Sequence, residues 1–103
     1  VTDRELLELA AKAAGVDYHI DHLDGIPKMV SDGHVWNPLV WDGQALRLAA
    51  RLKLNIMQGE FSVAVGDEGD VDEAAFVPDE SQRLYGIREA IVRAAAEIGR
   101  AMG

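Results

Sequence analysis

The chain has 103 residues, a formal net charge of −8, 49% hydrophobic residues and no cysteine. That length suits one domain around one core, and the missing cysteines exclude disulfides, thiolate catalysis and cysteine-ligated zinc. No apolar run approaches the ~20 residues that span a bilayer, and the acidic amphipathic opening is not a secretory leader, so a cytoplasmic protein without a membrane partner is expected.

Thr2-Asp3-Arg4-Glu5 has the spacing of a capping box, in which threonine and glutamate satisfy the first free amides of a helix. Leu6, Leu7, Leu9, Ala10, Ala13 and Ala14 then share one helical face, with Glu8 and Lys12 spaced to pair on the other. Gly15 supplies the left-handed residue that ends the helix. Val16, Tyr18 and Ile20 alternate with polar residues in the manner of a half-buried strand. Asp24-Gly25 signals a turn, Ile26 to Val30 a returning strand, and Ser31-Asp32-Gly33 a second turn before a short strand at Val35 and Trp36. Pro27 lacks an amide proton and belongs at an edge or a strand start.

Trp36-Asn37-Pro38-Leu39 reads as an Asn-Pro turn feeding a second helix, with Asp42 as its N-cap and an end near Lys53. Ala45, Leu46, Leu48, Ala49 and Leu52 project to one side of that helix, whereas Gln44, Arg47 and Arg51 project to the other. Leu54 to Met57 enters a strand, and Phe61 to Val65 alternates cleanly as another. Gly66 to Ala75 is too charged to bury and reads as an exposed acidic loop, with Phe76-Val77 a short strand beyond it. A third helix starts at an Asp79-Glu80-Ser81-Gln82 cap. Its buried stripe is Leu84, Ile87, Ile91, Ala94, Ala95, Ile98 and Met102, and Glu89, Arg93 and Glu97 form a ladder toward solvent. The elements thus run α-β-β-α-β-β-α, an α+β chain.

Little in this pattern carries chemistry. His19 and His22, near Asp17, Asp21 and Asp24, have the residue types of a divalent-metal site. On a strand, however, odd and even positions face opposite ways, so the ligands would not converge and no metal is assigned. The acidic segment lacks the ligand spacing and the glycine of an EF-hand calcium loop. None of Ser31, Ser62 and Ser81 sits in a nucleophile elbow, and no glycine-rich phosphate loop is present. No catalytic residue and no cofactor are assigned.

Asp67, Glu68, Asp70, Asp72, Glu73, Asp79 and Glu80 place seven carboxylates within fourteen residues. Such a surface repels nucleic-acid backbone but suits a basic partner, and its first five members define a candidate acidic surface. The other candidate surface joins Trp36, Asn37, Pro38 and Trp41 to Arg47 and Arg51. Tryptophan and arginine are the residue types that dominate protein interfaces.

Three blocks resemble a family of small, uncharacterised phage and prophage proteins described as the phage αβα-sandwich domain. They are Thr2 to Gly15; Trp36-Asn37-Pro38-Leu39 with Asp42-Gly43 and Ala45 to Ala49; and Ala90 to Met102, together about half the chain. Val40, Trp41 and Gln44 depart from the more acidic residues usual after the Asn-Pro turn in that family. The leading valine, as a literally read GTG start codon, likewise points to a bacterial or phage gene. The resemblance implies a three-layer α/β/α sandwich with an antiparallel or mixed sheet, here of about four strands, and it implies no catalytic residue.

The expectation is therefore a phage or prophage accessory protein in the host bacterial cytoplasm that binds a phage or host protein without catalysis, with a homodimer open. Two alternatives stand beside it. One is an acidic, DNA-mimicking inhibitor of a nucleic-acid-binding protein. The other is a small enzyme built on His34 or on His19 and His22.

Overall fold

The computed structural model describes residues 2–67, 73–77 and 79–102. Helix α1 spans Asp3–Ala14, where the Thr2 hydroxyl oxygen accepts from the Glu5 amide at 3.1 Å and the hydroxyl donates to the Glu5 carboxylate. Gly15 ends α1 at φ 69°, with its own amide donating to the Lys12 carbonyl and the Val16 amide to that of Ala11, the paired bonds of a Schellman cap. Glu8 and Lys12 do not close to an ion pair. Glu8 faces Tyr18 instead, whose phenol is raised above its usual pKa by burial and then by the Glu8 charge.

Strands β1 (His19–Leu23), β2 (Ile26–Ser31) and β3 (His34–Val35) form one antiparallel sheet joined by two-residue turns. Asp24 and Gly25 take φ 53° and 77°, and Asp32 and Gly33 take φ 54° and 77°. These are the paired positive angles of tight hairpins, which Asp-Gly dipeptides tolerate best. Val16 and Tyr18 precede β1 and do not belong to it, and Val16 packs on the core. Pro27 lies in the central strand but opposite His22 alone, because β3 reaches only Val30 and Ser31. At Pro27 the sheet is locally an edge, so the missing amide costs no ladder bond.

Helix α2 covers Asp42–Leu52 and ends on Lys53 in the left-handed region at φ 55°. Its N-cap is Trp41, with no capping side chain, which corrects the assignment of that role to Asp42. Strands β4 (Leu54–Gln58), β5 (Ser62–Asp67) and β6 (Glu73–Phe76) make the second antiparallel sheet. Val63 and Val65 are fully buried on its inner side, each worth about 1.5–3 kcal/mol relative to exposure. Pairing of Val65 with Glu73 and of Ala64 with Ala74 carries both strands into the segment expected to be loop. A single 3-10 turn at Glu80–Gln82, capped by Asp79, then leads into α3 at Arg83–Ala101.

Helix α3 is the centre of the molecule. It packs against α1, α2, β5 and β6, so Ala90, Ile91, Val92, Ala94, Ala95, Ala96 and Gly99 are buried almost all the way round instead of along one stripe. The α1–α3 contact is built from small residues. A Cβ at Gly99 would lie 2.0 Å from the Leu9 carbonyl oxygen, so the two helices meet there backbone to backbone.

The α+β class and antiparallel pairing stand, with three helices. The expected single sheet of about four strands is instead two sheets of three; the short strand expected at Val35 and Trp36 covers His34–Val35, and the one expected at Phe76-Val77 begins earlier, at Glu73. Leu46, Leu84 and Met102, expected on buried stripes, are more than half exposed. Among the described residues no helix is long and apolar enough to cross a membrane.

Candidate functional site

The turn that enters α2 is held by its own side chains. The Asn37 carboxamide oxygen accepts from the Leu39 amide at 3.1 Å, while the Asn37 carbonyl accepts from the amides of Val40 and Trp41. Gln44 reaches back from the first turn of α2: its oxygen accepts from the Asn37 amide and its nitrogen donates to the Val35 carbonyl at 2.8 Å. Pro38 is fully buried, and Trp36 packs against the core while its amide donates to Met29. Within the turn the Asn37 amide, carbonyl and carboxamide oxygen are all engaged, and Pro38 is buried.

Helix α2 then contributes to two grooves, one of mixed lining and one almost wholly apolar. On the side of the first sheet, Arg47 and Arg51 line a hollow of about 450 Å³ with Trp36, Gln44, Asp32 and His34. Arg51 also borders an adjoining hollow that contains Tyr18 and His19. On the side of α3, Ala45 and Leu46 face Ile56, Leu84, Ile87 and Ile91 across a groove of about 200 Å³ whose lining is almost wholly apolar. Asp42 and Arg88 stand along its edge.

Arg88 ties this second groove together. Its Nη1 meets the Asp42 carboxylate at 2.6 Å and its Nε donates to the Leu39 carbonyl at 2.8 Å. The same guanidinium lies 6.0 Å from the centre of the Tyr85 ring, within cation–π range. Glu89, one turn further along α3, raises the pKa of the Tyr85 hydroxyl by hydrogen bonding and then by its charge. Val40, Trp41, Leu46, Leu84 and Tyr85, at the starts of α2 and α3, are each more than half exposed, with Trp41 at 56% and Leu46 at 63%. Soluble chains seldom leave so many large apolar groups uncovered in one region.

The expected single surface from Trp36 to Arg51 therefore divides. Trp36, Arg47 and Arg51 line the first hollow, whereas Trp41 lines neither and stands exposed as the N-cap of α2. Leu46, Leu84, Tyr85 and Arg88 were not singled out from the sequence. Leu46 sits at the angular margin of its apolar stripe, whereas Leu84 falls within its stripe but in the first turn of α3. Of the acidic surface, Glu68, Asp70 and Asp72 lie outside the described residues, and Asp67 and Glu73 end β5 and begin β6. His19 and His22 lie on β1, and among the described residues no three histidine or carboxylate side chains are placed to share a metal ion. Compared with models of protein families, with curated proteins and with solved structures, the chain finds no match in any of the three.

Proposed function

We propose that the protein is a non-catalytic binding module, a phage or prophage accessory protein of the αβα-sandwich kind, including that family's layered arrangement. It docks an apolar segment of a phage or host protein at the heads of α2 and α3. One observation carries this reading: Leu46 and Leu84, each more than half exposed, line a pre-formed apolar groove, and Val40, Trp41 and Tyr85, also more than half exposed, lie within two residues of its lining residues Asp42 and Leu84 in the chain. Arg88 fixes both walls before any partner arrives, which lowers the ordering cost of association.

The size of the effect can be bounded. An aromatic side chain offers 150–250 Å² in all, so covering the exposed half of Trp41 removes roughly 100 Å² from water, worth about 2.5 kcal/mol. Trp41→Ala is expected to weaken partner binding by about 30-fold or more. A partner bound equally well by wild type and by folded Trp41→Ala and Leu84→Ser variants would remove this groove from the interface.

A further inference from the structure

The opposite flank of α2 carries a charge arrangement that the docking of a protein at the apolar groove does not use. The chain has 10 lysines and arginines against 18 carboxylates. Among the described residues every ion pair is made by an arginine of α3, namely Arg83, Arg88, Arg93 or Arg100. Arg47 and Arg51 make none, although they stand one turn apart on α2, where like charges repel. Both line the 450 Å³ hollow, a volume in the range of small-ligand sites.

The rest of that hollow is equally specific. Gln44 is held by bonds to the backbone of Asn37 and Val35, so it is a fixed part of the wall. Trp36 is anchored on the core and also lines the hollow, which holds it in place as a stacking surface. Asp32 in the β2–β3 turn and His34 at the start of β3 add an acceptor and an imidazole to the lining. Two guanidinium forks match the oxygens of a phosphate, and an indole beside them matches a planar ring.

We propose that this hollow binds a small organic phosphate bearing a planar ring, of the nucleoside monophosphate class. Arg47 and Arg51 take the phosphate, Trp36 takes the ring, and Asp32 and His34 meet polar groups of the base or sugar. A free mononucleotide fits better than a strand, because a chain of net charge −8 repels an extended phosphate backbone.

The test is calorimetric titration of the full chain with adenosine and uridine 5′-monophosphates, the matching nucleosides, and inorganic phosphate. Binding of at least one monophosphate with Kd below about 1 mM is expected. It should weaken at least about tenfold for the nucleoside, for inorganic phosphate, and in an Arg47→Gln/Arg51→Gln variant whose circular dichroism is unchanged. In parallel NMR spectra, assigned with Trp41→Phe, the Trp36 indole resonance should move on titration while that of Trp41 stays. Absence of binding by both monophosphates overturns the proposal, as does full affinity in the double-arginine variant. Inorganic phosphate binding as tightly as the nucleotide, or a Trp36 resonance that does not move, overturns it as well.

Discussion

Arg88 of α3 reaches across to Asp42 of α2 at 2.6 Å, and the same guanidinium donates to the Leu39 carbonyl at 2.8 Å. A residue that looked like a helix cap is in fact one end of a strut between two helices. The Arg88 side chain is 18% exposed and that of Asp42 59%, so the ion pair alone is screened by water and worth little. The charge-assisted bond to a backbone carbonyl adds more. Arg88→Met is expected to cost about 1–2 kcal/mol in chemical denaturation, and Asp42→Asn less than about 0.5 kcal/mol.

Gly99→Ala tests the close approach of α1 and α3. Helix propensity alone would favour alanine by about 1 kcal/mol. The added methyl, however, would meet the Leu9 carbonyl oxygen at 2.0 Å, and that neighbour is backbone with no rotamer to yield. A net loss of about 1–3 kcal/mol is expected. For a chain this size it should appear as a fall in Tm of about 4 °C or more.

Gln44→Ala removes both bonds that pin the Asn-Pro turn to α2 and leaves the part-buried Asn37 amide and Val35 carbonyl without these partners. The expected cost is about 1–2 kcal/mol. Faster hydrogen exchange at the Asn37 amide should accompany it, with little change at α3 amides.

Asp79 links the start of the third helix to pH. The Ser81 hydroxyl, followed by the amides of Ser81 and Gln82, holds its carboxyl below the usual aspartate pKa. A carboxyl that is harder to protonate when folded contributes stability above its unfolded pKa and loses it as pH falls through the folded one. The cap should therefore fray only below about pH 4. Carboxyl carbon NMR should place the Asp79 midpoint below the ordinary aspartate value, and Ser81→Ala should move it upward.

Local signals were readable in the sequence wherever the governing physics is local. The Thr2 cap, the Gly15 stop and the Asp24-Gly25 and Asp32-Gly33 turns depend on a few neighbouring residues, and each forms. What depends on distant partners was not readable. Apolar periodicity placed Leu46 and Leu84 on buried stripes, but burial needs a neighbour to cover them, and α2 and α3 diverge at their heads into an open groove. Asp42 had the right residue type for a cap, yet Arg88, 46 positions later, claims its carboxylate. The same holds for the split of one sheet into two: α3 packs on β5 and β6 of the second sheet, and pairing of this kind is set by contacts far apart in sequence.

The docking surface proposed at the heads of α2 and α3 is tested most directly by site-specific photo-crosslinking in the cells that naturally make the protein. A benzophenone amino acid is placed at Trp41, at Leu84, or at Arg93 on the exposed outer face of α3. The account predicts one protein captured from both position 41 and position 84 and absent from position 93. Crosslinks that are the same from all three positions, or none from 41 and 84 while 93 captures a partner, would contradict it.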